Sequence, residues 1–178
     1  MLLRAFNASL QKRPLTTQIV ASGIICAGGD VMSQFVFEKR TPQQYDWKRT
    51  GRFFILGSVF ITPIVARWFK FLEANVNFGP KKTIPLVRVA FDQLLMAPPL
   101  NAAILVVLRQ LEGFSFSESV DKMKQDWWPV YSRSLMLWPF VQTFNFYFVP
   151  LNMRVIVVQL VALFWNSWLS YKTQAKLE

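Results

Sequence analysis

The chain has 178 residues, 53% of them hydrophobic, 16% aromatic and 17% charged, and its 20 Lys and Arg against 10 Asp and Glu give a formal charge of +10. That much apolar residue excludes a disordered chain, and the basic residues do not come with the polar surface of a nucleic-acid-binding domain, so no direct nucleic-acid binding is expected. The class that remains is a basic membrane protein, read as one integral membrane domain over residues 1–178.

The first residues are basic and free of acid, with Arg4, Lys12 and Arg13 before Asp30, and Leu2, Leu3, Phe6 and Leu10 share one helical face. This reads as an uncleaved amphipathic lead-in, with a mitochondrial presequence as the alternative. No charge falls between Pro14 and Gly29, and only Asp30 interrupts the apolar pattern before Glu38, which predicts a first span over 16–37. Small residues four apart, Ser22/Cys26, Gly23/Ala27 and Gly29/Ser33, let another helix approach this span closely. Cys26, the only cysteine, reads as a small packing residue.

Asp46 is placed to cap the next helix. The uncharged run from Phe53 to Ala66, extended by Trp68, Phe69, Phe71 and Leu72, predicts a second span over 51–72, with Pro63 as a kink. A third span, over 89–108, carries Asp92 as its one charge and Pro98–Pro99 as a break near mid-membrane. Each stretch suits the roughly 20 helical residues that cross a hydrocarbon layer about 30 Å thick.

The last third is open to two partitions. Ser117–Glu118 opens a polar helix ending near Trp128 whose apolar residues, Val120, Met123 and Trp127/Trp128, fall on one face, as in an interfacial helix. Beyond it, Ser134–Met153 and Val155–Tyr171 carry no charge, but Pro139 and Pro150 read as breaks or sharp kinks. The proline-free run favours a fourth span over 151–171, leaving 117–149 as an amphipathic or kinked segment. The expected fold is therefore an all-α polytopic membrane helix bundle of about four transmembrane helices, possibly five, with an interfacial amphipathic helix. For four spans the two sides would hold 10 and 8 basic residues, too even to fix orientation.

Chemistry is constrained by what is missing. The chain has no histidine and one cysteine, so His-dependent nucleophilic triads and ordinary zinc sites have no residues to use; no catalytic, cofactor or metal site is expected. The informative residues are charges inside spans. A carboxylate there is costly and faces the bundle interior or water. Asp30 has Gln34 one turn on, and Asp92 is followed by Gln93; Gln142 and Asn145 add amides three residues apart among aromatics. These six residues, with Arg154, form a candidate polar network. They either line a path or lock helices together, with Arg133 or Arg154 as cations for Asp30 or Asp92.

The chain resembles the Mpv/PMP family of mitochondrial inner-membrane and peroxisomal-membrane proteins from about Leu10 to Tyr171. The residues that carry the resemblance are Gly29–Asp30 and Gln34; Asp46, Arg49 and Arg52; Asp92–Gln93 and Ala97–Pro98; Leu111–Glu112–Gly113; and above all Trp138–Pro139, Gln142, Asn145–Phe146, Val149–Pro150, Arg154, Trp165–Asn166 and Leu169–Ser170. Thr62–Pro63 stands where Gly-Pro is common in the family, and Ser134 where an Asn is common. The tail is most similar to the mitochondrial branch. The resemblance implies an inner-membrane location, with the peroxisomal membrane as the alternative. It also implies a weakly selective channel activity and a link to metabolite balance and mitochondrial DNA maintenance. The partners expected are the lipid bilayer, anionic lipid among it, small metabolites or ions, and a second copy of the chain. A non-conducting scaffold is the competing expectation.

Overall fold

The computed structural model describes residues 2–174, and no strand occurs among them. The long helices are α1 (Leu2–Lys12), α2 (Pro14–Phe37), α3 (Trp47–Asn75), α4 (Ile84–Leu111), α5 (Phe116–Phe148) and α6 (Leu151–Gln174). α2, α3, α4 and the Leu151–Tyr171 part of α6 are long and apolar enough to cross a membrane, and they contain the four expected spans. The protein is thus an all-α polytopic membrane protein. In α1, Leu10 is buried, while the side chains of Leu2 and Leu3 lie outside the described residues.

Helix ends follow local chemistry. Asp46 Oδ1 accepts from the Arg49 amide at 3.0 Å, so α3 begins at Trp47, earlier than the hydropathy alone suggests. Gly113, at φ +99°, takes the left-handed conformation that ends α4. Ser115 then caps α5 in a reciprocal box with Glu118, two residues before the expected start. Hydrogen bonds from the Ser115 side chain and backbone hold the exposed Glu118 carboxyl below its ordinary pKa.

The prolines do less damage than expected. Pro63 and Pro98–Pro99 each follow a widened, π-helical turn, Leu56–Ile61 and Asp92–Met96. A proline ring collides with the carbonyl four residues back. Those carbonyls belong to Val59, Leu94 and Leu95, all inside the widened turns, so the chain makes room without leaving the helix. Of the two readings of Pro139, a break or a sharp kink, the break is corrected. α5 runs 33 residues through both Pro129 and Pro139, because each proline removes one backbone donor from a long ladder. The separate interfacial helix expected near 117–128 is the first third of this same helix. The chain does break at Val149–Pro150, where Val149 turns extended before α6.

Contacts divide the chain into two compact units, with the boundary inside α3. The first comprises the chain up to Phe69 and from Pro150 onward; the second is Lys70–Val149. In the first unit α3 runs antiparallel to α2, with Gly23 against Phe54, Gly57 against Cys26 and Asp30 against Arg49. α6 runs parallel to α2: Gln18 meets Asn152, Gly28 meets Leu163, Gly29 meets Asn166, and Asp30 meets Ser170. The small residues of α2 and α3 make these approaches possible. A Cβ at Gly57 would fall on the Cys26 side chain, and one at Gly29 would stand 2.9 Å from the Asn166 Cβ and 3.0 Å from the Leu163 carbonyl. In the second unit the last residues of α3, from Lys70 on, are tied to the start of α4 across the loop 76–83, where Arg88 pairs with Glu73. α5 then packs antiparallel to α4, with Asp126 on Arg109, Trp127 on the Pro98 carbonyl and Tyr131 on the Gln93 carbonyl.

Candidate functional site

Asp30 lies near the C-terminal end of α2, fully buried. Its cation is Arg49, 19 residues on and one turn into α3, and Arg49 Nε donates to Asp30 Oδ1 at 2.7 Å. Ser170 Oγ from α6 donates to the same oxygen at 2.7 Å. The second carboxylate oxygen accepts from Gln34 Nε2 at 2.8 Å and Thr50 Oγ1 at 2.6 Å. Gln34 is fixed in turn, because its Oε1 accepts from the Asp46 amide at 2.8 Å. Tyr45 closes the group through its hydroxyl, 2.6 Å from Thr50.

Arg49 is itself 2% exposed and spends its whole fork. Nη1 and Nη2 grip the Glu38 carboxylate at 2.8 and 2.5 Å, and Nη2 also reaches Ser170 Oγ at 2.8 Å. Arg40 pairs with the outer side of Glu38 at 2.7 Å. Burial raises the Glu38 pKa, but Arg49, Ser33 and Arg40 outweigh it and hold the carboxyl below its ordinary value. Two carboxylates and two guanidinium groups balance in charge. A centre so neutral and so fully hydrogen-bonded fastens α2, α3 and α6 together and offers little to a passing solute.

The second unit holds a different cluster. Asp92 sits in the widened turn of α4, and its Oδ2 accepts from Gln93 Nε2 at 2.7 Å and from Gln142 Nε2 of α5 at 2.9 Å. Asn145 donates to Gln142 Oε1 at 3.1 Å. All four residues are buried, and Gln93 Oε1 is buried with no hydrogen-bond partner. Two amides, one from α4 and one from α5, thus meet on this carboxylate's Oδ2.

Of the predicted network, the structure joins Asp30 with Gln34 in the first unit, and Asp92 with Gln93, Gln142 and Asn145 in the second. Arg154 is buried in the first turn of α6, well away in sequence from Ser170, which reaches the Asp30 centre. Arg133 is exposed. Sequence reasoning missed Arg49, Glu38, Thr50 and Ser170 as members of the Asp30 centre. It also missed the two buried arginines that bracket α4. Arg88 is held by Glu73 and Asn77, and Arg109 by Glu112 and Asp126. A signal was available: Arg49 follows the capping Asp46 by one turn, so it sits at a fixed height beside the end of α2. No group of three or more His, Cys, Asp or Glu suited to a metal ion occurs among the described residues.

Several apolar spans, each carrying buried polar residues that tie it to its neighbours, define a multi-pass membrane protein of the helical class. The sequence profile of the Mpv17 / PMP22 family matches residues 109–170. Over 97% of this chain and 93% of the relative, 54% of residues are identical to the mitochondrial inner membrane protein Mpv17 of Caenorhabditis briggsae. The Mpv17 protein of Caenorhabditis elegans is 43% identical over 95% of this chain and 91% of its own, and protein SYM1 of Saccharomyces cerevisiae 36% identical over 99% and 92%. No solved structure matches. The chain belongs to the Mpv17/PMP22 family and is a multi-pass protein of the mitochondrial inner membrane. None of these names denotes an enzyme.

Proposed function

We propose that the chain is a channel-like protein of low selectivity that lets small metabolites or ions cross the inner membrane, with Asp92, Gln93, Gln142 and Asn145 facing the path. The observation that carries this reading is Gln93 Oε1, a buried acceptor without a partner inside a membrane span. An orphaned polar atom in such a place calls for water or a solute to satisfy it. The carboxylate of Asp92 would favour cations near the path, and the basic residues at helix ends would draw anionic lipid and anionic metabolites to its mouths. Metabolite and ion homeostasis, and through it mitochondrial DNA maintenance, is the cellular role that goes with this reading and with the family resemblance.

A second reading, a non-conducting scaffold for lipid or protein partners, is favoured by the saturation of Asp30, which behaves as a lock. Planar-bilayer recording on the purified protein separates the two. Conductance is expected, and Asp92→Asn is expected to move the reversal potential in a salt gradient towards anion preference. Unchanged currents in that variant would remove Asp92 from the path, and a silent native protein would leave the scaffold reading.

A further inference from the structure

We propose that α5 crosses the bilayer as a fifth span, its Trp128–Phe148 stretch facing lipid, so that the segments before α2 and after α6 lie on opposite sides of the membrane. The inference rests on helix direction and does not depend on conduction.

α2 and α6 are both long and apolar enough to span. They run parallel, as the ordered series Gln18–Asn152, Gly28–Leu163, Gly29–Asn166 and Asp30–Ser170 shows. Two parallel spans are crossed in the same direction. The chain leaves α2 on one side and must enter α6 from the other, so it crosses an odd number of times between them. α3 and α4, both span-length, account for two crossings. The third has to be α5, the one long helix left among the described residues. A four-span arrangement would need α6 antiparallel to α2, and the same contacts exclude it.

The surface of α5 agrees. Trp128, Met136, Phe140, Phe144 and Phe148 recur every four or eight residues and are all exposed, Met136 and Phe140 at 74% and 75%. Recurrence at four keeps Met136, Phe140, Phe144 and Phe148 along one slowly winding side of the helix, with Trp128 further round it. The stretch from Trp128 to Phe148 rises about 30 Å, the thickness of the hydrocarbon core. Arg133 is its one charge, near one end, where a long side chain reaches the headgroups. Its polar residues Ser134, Gln142 and Asn145 lower the mean hydropathy of the helix, but they are buried and turned away from Phe140 and Phe144. The occupant of the apolar stripe is hydrocarbon.

Single cysteines reacted with a membrane-impermeant maleimide test the topology, in mitoplasts and again after permeabilisation. The unaltered chain, whose Cys26 is 1% exposed in a span, is the unlabelled control. Five crossings place Ser117→Cys and a cysteine appended after Glu178 on one face, and Lys81→Cys and Asn152→Cys on the other. Ser117→Cys and the appended cysteine reacting from opposite faces would overturn the proposal, and the stripe would then be an interfacial face or a contact with a second copy. That pair decides the matter even where position 152 proves shielded. Either result leaves the conductance measurement to stand or fall separately.

Discussion

Two buried aspartates, placed alike within apolar helices, end in different surroundings. Asp30 receives a guanidinium, two hydroxyls and an amide, and the arginine that serves it also grips Glu38. Asp92 receives two amides on one oxygen, and one of those amides is left with an unpartnered acceptor. A carboxylate inside a membrane span is therefore not one kind of signal. At Asp30 the carboxylate binds three helices to one another; at Asp92 it gathers amides, and the buried Gln93 acceptor without a partner is what the proposed path rests on.

The contrast is broken most severely at Arg49. Arg49→Met leaves Asp30 buried without its cation and takes from Glu38 the guanidinium that grips it, a loss on the order of 3–5 kcal/mol. Thermal unfolding in detergent, followed by tryptophan fluorescence, should show a large drop in Tm or no folded protein. A shift of a degree or two would show that Arg49 does not hold the first unit together.

Next in size is Gly57→Ala, whose methyl group would overlap the Cys26 side chain and crowd the Ser22 carbonyl at 3.0 Å. Overpacking of this kind costs about 1–3 kcal/mol. Combining it with Cys26→Gly should recover part of the lost Tm, since the clash is with that side chain. A double variant no better than the single would place the strain elsewhere.

Glu38 gives a smaller, pH-dependent effect. Its folded pKa is held below the ordinary carboxylate value, so the folded state binds its proton less readily than the unfolded chain. The stabilisation is complete at neutral pH and is lost as pH falls through the ordinary carboxylate range towards the lower folded value. Tm measured from neutral to acid pH should fall less steeply in Glu38→Gln than in the native chain; parallel curves would remove Glu38 from the acid response.

The smallest stability effect is expected at Gln93. Gln93→Leu gives up one hydrogen bond to Asp92 but also removes the unpartnered oxygen, and the two nearly cancel, within about 1 kcal/mol. Conductance should nevertheless fall. A large loss of stability here would make the Asp92 cluster a fastening like the other, and the contrast would disappear.

Much of this was legible in one sequence. Gaps between charges located all four span-length helices, because charge is expelled from hydrocarbon whatever the tertiary arrangement. The amide partners were also readable, since Gln34 lies one turn beyond Asp30 and Gln93 adjoins Asp92. At Pro139 the sequence left a break and a sharp kink open, and only the break falls, because α5 runs on through it. The burial of Gln142 and Asn145 was not readable either, because the face a polar residue takes in a long helix is set by what packs against it.

The sequence by itself determined the membrane class, the helical spans and the family, through local composition and the order of short motifs. Only the tertiary structure decided that Arg49 rather than Arg133 or Arg154 serves Asp30, that Ser170 joins it from 140 residues away, and that α2 and α6 run parallel. These are relations between helix faces distant in the chain. Hydrophobic burial brings such faces together without any single residue announcing its partner, and direction and pairing are fixed only when small residues such as Gly29 and Gly57 let the backbones meet.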